Sequence, residues 1–408
     1  MANQFADSGI GKTEFSDLRP YGYPLFLALV LRIGKAVGLS FSFSIFLAQT
    51  CLYLLVSWYF SRIVYKEWSK PIGQYVLLGL FGNILVFPAL GIALSDGFSL
   101  ILQIAIVAIF TRLYLLAGKS SPVSVWLRLF LIGLLTGFAV MVRPGNIHFL
   151  LFEAVALVLY SFSLCKMRRG QFIIWLIVAA LGFAIAVAPQ VIFNRVVFHV
   201  NSFLPVYDLQ GRQLFFGQQY LKYGTAVNDL GQGSAMPYMS PWASSATGTI
   251  AWYFSHPLAG AVTLLAHIFG AVDFDYLFTY VHLNAHSWRW LSFLVSQGVV
   301  FWGLAGWTRI YRAALAFEKG EQRDLFRAFC IVSFAYVASW LAVYAPSAVE
   351  NRYAFPLVTL FLPVALWALC TIKSLRNAGW LCICFGIYLL FSGAASMWLS
   401  SLRVLPAA

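Results

Sequence analysis

The feature that most constrains this chain is a series of unbroken apolar runs, each about as long as a bilayer is thick. Residues 42–64 (SFSIFLAQTCLYLLVSWYFSRIV) and 172–194 are two of them. A helix rises about 1.5 Å per residue, so roughly 20 apolar residues cross a hydrocarbon core of about 30 Å. The runs are continuous and lack the period of two that marks barrel strands. Since lipid leaves no backbone group unpaired, they are expected to be helices. Composition agrees, with 61% hydrophobic and 10% charged residues, against about 25% charged in a soluble domain. The expected fold class is an all-α polytopic membrane protein, with residues 1–408 forming a single integral membrane domain.

Ten runs are long enough to cross: residues 42–64, 74–94, 98–117, 125–142, 147–165, 172–194, 290–308, 328–345, 354–372 and 379–400. Two shorter ones, 23–33 and 258–272, have the length of interfacial or re-entrant helices. The connections 65–73, 118–124, 166–171, 309–327 and 373–378 hold 13 of the 27 Lys and Arg within 47 residues, so that side is expected to be cytoplasmic. Residues 195–289 then form one large non-cytoplasmic loop. The net charge of +13 is explained by topology and anionic lipid rather than by nucleic acid. The six cysteines (Cys51, Cys165, Cys330, Cys370, Cys382 and Cys384) all fall in or beside apolar spans, and no structural disulfide is expected.

Most acids sit on the outer face by this count, including Asp7, Glu14, Asp17, Asp96, Asp208, Asp229, Asp273, Asp275 and Glu350. Asp96 lies in a connection so short that it must sit at the membrane surface between two helices. It reads either as an acid poised for chemistry or as the N-cap of a helix beginning at Phe98. Arg143-Pro144-Gly145 fixes a permanent cation at headgroup depth near it. A phosphate suits that cation, and so does simple snorkelling against a helix C-terminus. A second acid, cation and phenol stand together in Glu350-Asn351-Arg352-Tyr353, where the chain re-enters the membrane.

The outer loop carries Tyr207, Asp208, Arg212, Phe215, Phe216, Lys222, Tyr223, Tyr238 and Trp242, side chains that stack on sugars and equally favour a bilayer interface. His282 and His286, with Asp273 and Asp275, read either as ligands for a divalent metal or as headgroup contacts. Glu153 is the one acid deep within a crossing and is expected to pair or protonate. The chain has no Walker loop, dinucleotide fingerprint, zincin pair or visible internal repeat, so nucleotide-driven transport finds no support in it.

Taken in order, several short motifs resemble the C-type-fold integral membrane glycosyltransferases, in the branch of the dolichyl-phosphate-mannose protein mannosyltransferases and aminoarabinose transferases. They are Tyr21-Gly22-Tyr23-Pro24-Leu25-Phe26, Ser95-Asp96, Gly133-Leu134-Leu135-Thr136-Gly137 leading to Arg143-Pro144, the loop with His256-Pro257, and Glu350-Asn351-Arg352-Tyr353 with Pro356. The resemblance implies transfer of a sugar from a polyprenyl-phosphate donor to a hydroxyl of a glycan, glycolipid or protein. That reaction would occur at the periplasmic or extracellular face of a bacterial inner membrane, in the building of cell-envelope material such as lipopolysaccharide. It implies catalytic roles for Asp96 and for an upstream acid, Asp17 or Asp7. Arg143, Arg352 and Lys222 would hold phosphate, while Tyr23, Glu350 and Tyr353 shape the substrate site.

No cofactor is implied, though a divalent metal is compatible with the site. The family places its principal acid after a first crossing well ahead of the Gly-Tyr-Pro segment, so the chain is expected to be shortened at its N-terminus. Two rival readings remain. One is an O-antigen ligase or polymerase using a diphosphate-linked donor, and the other is a transporter or flippase for lipid-linked glycans, which would need charges lining its interior.

Overall fold

The computed structural model describes residues 20–116, 121–161, 169–205, 246–274, 289–316, 321–347, 351–372 and 375–404, with residues 214, 217, 220–223 and 233–235 of the large loop. The helices are α1 (Gly22–Ala36), α2 (Phe41–Glu67), α3 (Lys70–Phe81), α4 (Phe87–Leu90), α5 (Ser95–Leu115), α6 (Pro122–Val142), α7 (His148–Leu159) and α8 (Arg169–Phe198). They continue with α9 (Ala246–Ser255), α10 (Pro257–Val272), α11 (Arg289–Ala316), α12 (Glu321–Tyr344), α13 (Asn351–Cys370) and α14 (Leu375–Ser401). A small antiparallel sheet joins β1 (Tyr220–Tyr223), β2 (Gly233–Ala235) and β3 (Arg403–Val404) in that order.

Among the described residues, seven helices are long and apolar enough to cross a membrane: α2, α5, α6, α8, α11, α13 and α14. The protein is a multi-pass, all but wholly helical membrane protein. Of the other three expected crossings, one takes another form. Residues 74–94 are broken after Phe81 at Gly82-Asn83, where the Asn83 side chain accepts from the Leu85 amide (3.2 Å) and donates to Thr359 (2.9 Å). An amide side chain that satisfies a local backbone donor competes with the helix ladder, and averaged hydropathy does not register it. The run 147–165 is helical as α7 from His148 to Leu159, and 328–345 is carried by α12, whose apolar part is Phe329–Tyr344. The two short runs expected to lie outside the crossings form α1 and α10.

The chain gathers into two compact units. The first comprises Met1–Leu77, Ala89–Asp208 and Tyr311–Ser339, and the second Leu78–Pro88, Leu209–Ile310 and Trp340–Ala408. At the heart of the first is α5, buried on nearly every side, which is what a helix apolar all round requires. Helix α6 starts with Ser121 capping the Ser124 amide and Pro122 in its first turn, where the missing N–H removes no bond.

It then runs against α8 at backbone contact. A Cβ on Gly133 would stand 1.9 Å from the Ala179 carbonyl oxygen, and one on Gly182 would stand 2.2 Å from that of Phe130. Only glycine permits this approach, the small-residue packing that joins helices in lipid. The rest of α8 is turned outward with Ile173, Ile177, Leu181, Ile185 and Ile192 exposed, an arrangement suited to lipid.

In the second unit, α11 packs on α13 through Gly306, where an added Cβ would meet the Val364 carbonyl oxygen at 2.7 Å.

Candidate functional site

The site is built where α5 begins and α6 ends, both in the first unit. Helix α5 starts at Ser95 with Leu94 in the cap position and no side-chain cap bond. Asp96 is therefore inside the first turn and is not the cap of a helix starting at Phe98. Its carboxylate lies at the positive end of the helix dipole. Gly97 follows because a Cβ there would meet the Ala89 carbonyl oxygen at 2.6 Å and Gln49 Oε1 at 2.9 Å. Helix α6 closes at Arg143, whose extended backbone still donates to Ala139 at 2.9 Å.

The Arg143 guanidinium donates to the Asp96 carboxylate, with the two side chains only 16% and 6% exposed. An ion pair so withdrawn from water is held by geometry as much as by attraction, since desolvation offsets much of the Coulomb gain. Its support lies directly beneath. Asn146, in the 3₁₀ turn Pro144–Ile147, donates to the Ala139 carbonyl (2.7 Å) and accepts from Ser99 (3.0 Å) and Gln103 (3.0 Å). Gln103 in turn accepts from the Tyr336 hydroxyl (2.9 Å), and His148 Nδ1 lies 3.0 Å from the Gly145 carbonyl.

Asp96, Ser99 and Gln103 are spaced i, i+3, i+7, so one polar stripe runs down an otherwise apolar helix toward the turn that carries Arg143. Sequence reading passed over Ser99, Gln103, Asn146 and Tyr336. The spacing on α5 was the available signal, and nothing local announced Tyr336.

The Gly-Tyr-Pro segment joins the same unit. A Cβ on Gly22 would stand 2.7 Å from the Met141 carbonyl, so α1 begins pressed against the last turn of α6. Tyr23 is buried, its ring 6.1 Å from Phe26 and 6.4 Å from Phe98, and Phe26 stacks on Phe98 at 3.9 Å. Tyr21 donates from its hydroxyl to the Ala186 carbonyl (2.5 Å) and from its amide to Gln190 (3.1 Å). Burial pushes the Tyr21 phenol above its ordinary range, so it keeps this donor proton at neutral pH. Glu153 faces Thr136, which donates to it inside the unit.

The remaining candidates are placed differently. Lys222 is in the second unit and buried, its Nζ 2.5 Å from the Asp273 carbonyl and 3.0 Å from the Asp273 carboxylate, which also accepts from Ser396. The amine is thus engaged by Asp273. Arg352 and Tyr353 open α13 in the same unit. The guanidinium is 5.5 Å from the Tyr353 ring, that ring is 5.3 Å from Tyr344, and Trp340 donates to the Tyr353 carbonyl at 3.0 Å. Asp7, Asp17 and Glu350 lie outside the described residues, as do His282 and His286 and most of the loop aromatics. Among the described residues no group of three or more His, Cys, Asp or Glu side chains forms a metal site.

No family model, curated protein or solved structure matches the chain.

Proposed function

We propose that this protein transfers a sugar from a polyprenyl-phosphate carrier to an acceptor hydroxyl, with Asp96 as the base and Arg143 as the phosphate ligand. The observation that carries the reading is the shielded Asp96–Arg143 pair at one end of two long apolar helices, beside the Tyr23, Phe26 and Phe98 rings. A guanidinium is the side chain suited to a phosphate, and an incoming phosphate competes with the carboxylate for it.

The carboxylate so released takes the acceptor O–H proton while the acceptor oxygen bonds to the anomeric carbon. The carbon–oxygen bond to the phosphate breaks, and its electron pair leaves with the polyprenyl phosphate, whose added charge Arg143 neutralises. The aromatic rings offer a surface for the sugar or the first isoprene units. In this reading the chain makes ten crossings in a bacterial plasma membrane, the Asp96 end facing away from the cytoplasm.

The test is transfer from radiolabelled polyprenyl-phosphate hexoses and pentoses to membrane acceptors by proteoliposomes of the full chain. Transfer that falls at least 100-fold in Asp96→Asn and in Arg143→Gln, with partial retention in Arg143→Lys, supports the assignment. Transfer undiminished in Asp96→Asn, or absent with every donor in a folded preparation, rejects it.

A further inference from the structure

A second polar site lies at the other end of α5. Arg112 follows Asp96 by 16 residues on this helix, so about 24 Å of helix axis separates them. There α2, parallel to α5, presents Trp58, Arg62 and Lys66 at successive four-residue intervals along one face. Together with Tyr59, Ile63, Glu67 and Arg112 they line a cleft of about 270 Å³.

Its apolar lining is Ile63, which belongs to a buried cluster with Ala108 and Leu115. Its rim is cationic. The Arg62 guanidinium is 5.1 Å from the Trp58 ring centroid and Arg112 donates to the Tyr59 hydroxyl at 3.3 Å, so both cations are held by aromatic neighbours. Three cations therefore line the cleft with one carboxylate, Glu67, and among the described residues none of Arg62, Lys66 and Arg112 is within ion-pair distance of an acid.

Like charges four residues apart on a helix repel. Gathering two of them with a third from a neighbouring helix is unfavourable unless an anion is shared. Trp58, 45% exposed beside the cations, is the residue type that settles at the headgroup level of a bilayer.

We infer that this cleft between α2 and α5 binds a phosphate group, supplied by the headgroup of an anionic phospholipid. Basic pockets between membrane helices take such headgroups, each Lys or Arg near the surface contributing a few-fold in affinity. The inference stands apart from the transferase reading, because the cleft and the Asp96–Arg143 pair lie at opposite ends of one helix and no single phosphate reaches both.

The experiment uses the full chain in a mild neutral detergent, with bound lipid counted by native mass spectrometry after titration with phosphatidylglycerol or phosphatidylcholine. Phosphatidylglycerol is expected to bind at least tenfold more tightly. Arg62→Gln with Lys66→Gln, both exposed side chains, is expected to weaken it about 25-fold, roughly fivefold per cation. Arg195→Gln, at the far end of α8, leaves binding unchanged, and Arg62→Lys with Arg112→Lys retains it and guards against a folding artefact. Inorganic phosphate that displaces the lipid at millimolar concentration supports the phosphate contact. If it binds as tightly as the lipid does, the natural ligand is a soluble phosphate instead of a headgroup. Equal binding of the two lipids overturns the inference, as does full retention of phosphatidylglycerol by Arg62→Gln with Lys66→Gln.

Discussion

Replacing Asn146 by alanine tests whether the Arg143 turn is held by its buried support or by the ion pair alone. Asn146 is fully buried and makes three side-chain hydrogen bonds. Two of its partners are partly insured. The Ala139 carbonyl also accepts the Arg143 amide, and Gln103 Nε2 also reaches Ser99 at 3.2 Å. The Ser99 hydroxyl then lacks its acceptor, and the other two bonds are lost without leaving a group wholly unsatisfied. At about 1 kcal/mol for each net bond and about 1–3 kcal/mol for a stranded buried donor, the expected loss is about 3–5 kcal/mol.

That is a large part of the roughly 5–15 kcal/mol that holds a folded domain. The assay is equilibrium unfolding of the detergent-solubilised protein by a denaturing detergent, read by helical circular dichroism, in parallel with sugar transfer. Asn146→Asp is expected to be worse than alanine, because an ionised carboxylate loses the donation to Ala139 and faces that carbonyl without a proton. A stability within about 0.5 kcal/mol of the parent for Asn146→Ala would refute the reasoning, since no arrangement of three buried bonds is that indifferent to loss.

Three further outcomes follow from the packing. Gly133→Ala is expected to destabilise by about 1–3 kcal/mol through overpacking against the Ala179 carbonyl, whereas Gly393→Ala on α14, with open space around it, changes little; thermal unfolding of the two side by side is the check. Lys222→Met strands the Asp273 carboxylate and is expected to lose about 3–5 kcal/mol, while adding Asp273→Leu restores much of it, measured by the same unfolding. Glu153→Gln keeps an acceptor for Thr136, so transfer is expected to persist; loss of activity in that variant, with Asp96→Asn harmless, would favour the transport reading.

The apolar runs were legible because bilayer thickness and helix rise leave one solution, and seven of them are the long helices of the structure. The run 74–94 misleads because its hydropathy averages across Gly82-Asn83, a break set by a bond to Thr359 far along the chain. Asp96, Arg143 and Tyr23 were readable as outliers of charge or motif at the ends of apolar segments, and the structure brings them into one unit. The underlying stripe was less visible. Serine and glutamine inside a hydrophobic helix look incidental until Asn146 and Tyr336 are seen to meet them, and the latter is 233 residues from Gln103. For Lys222 the cation was legible and its setting was not. It stands in an aromatic polar loop of the sequence, and its partner Asp273, 51 residues on, holds it inside.

The glycine contact between α6 and α8 bears on how the membrane itself acts on the site. The apolar span Gln171–Phe198 has 28 residues, about 42 Å of helix against a core of about 30 Å, so α8 leans, thickens the bilayer or carries its polar ends at Gln171 and Asn194-Arg195 beyond the core. Because Gly133 and Gly182 hold the two backbones in direct contact, any lean of α8 is shared by α6. The depth of Arg143 is thereby coupled to the thickness of the surrounding lipid, and acyl-chain length becomes a physical variable acting on the Asp96–Arg143 pair.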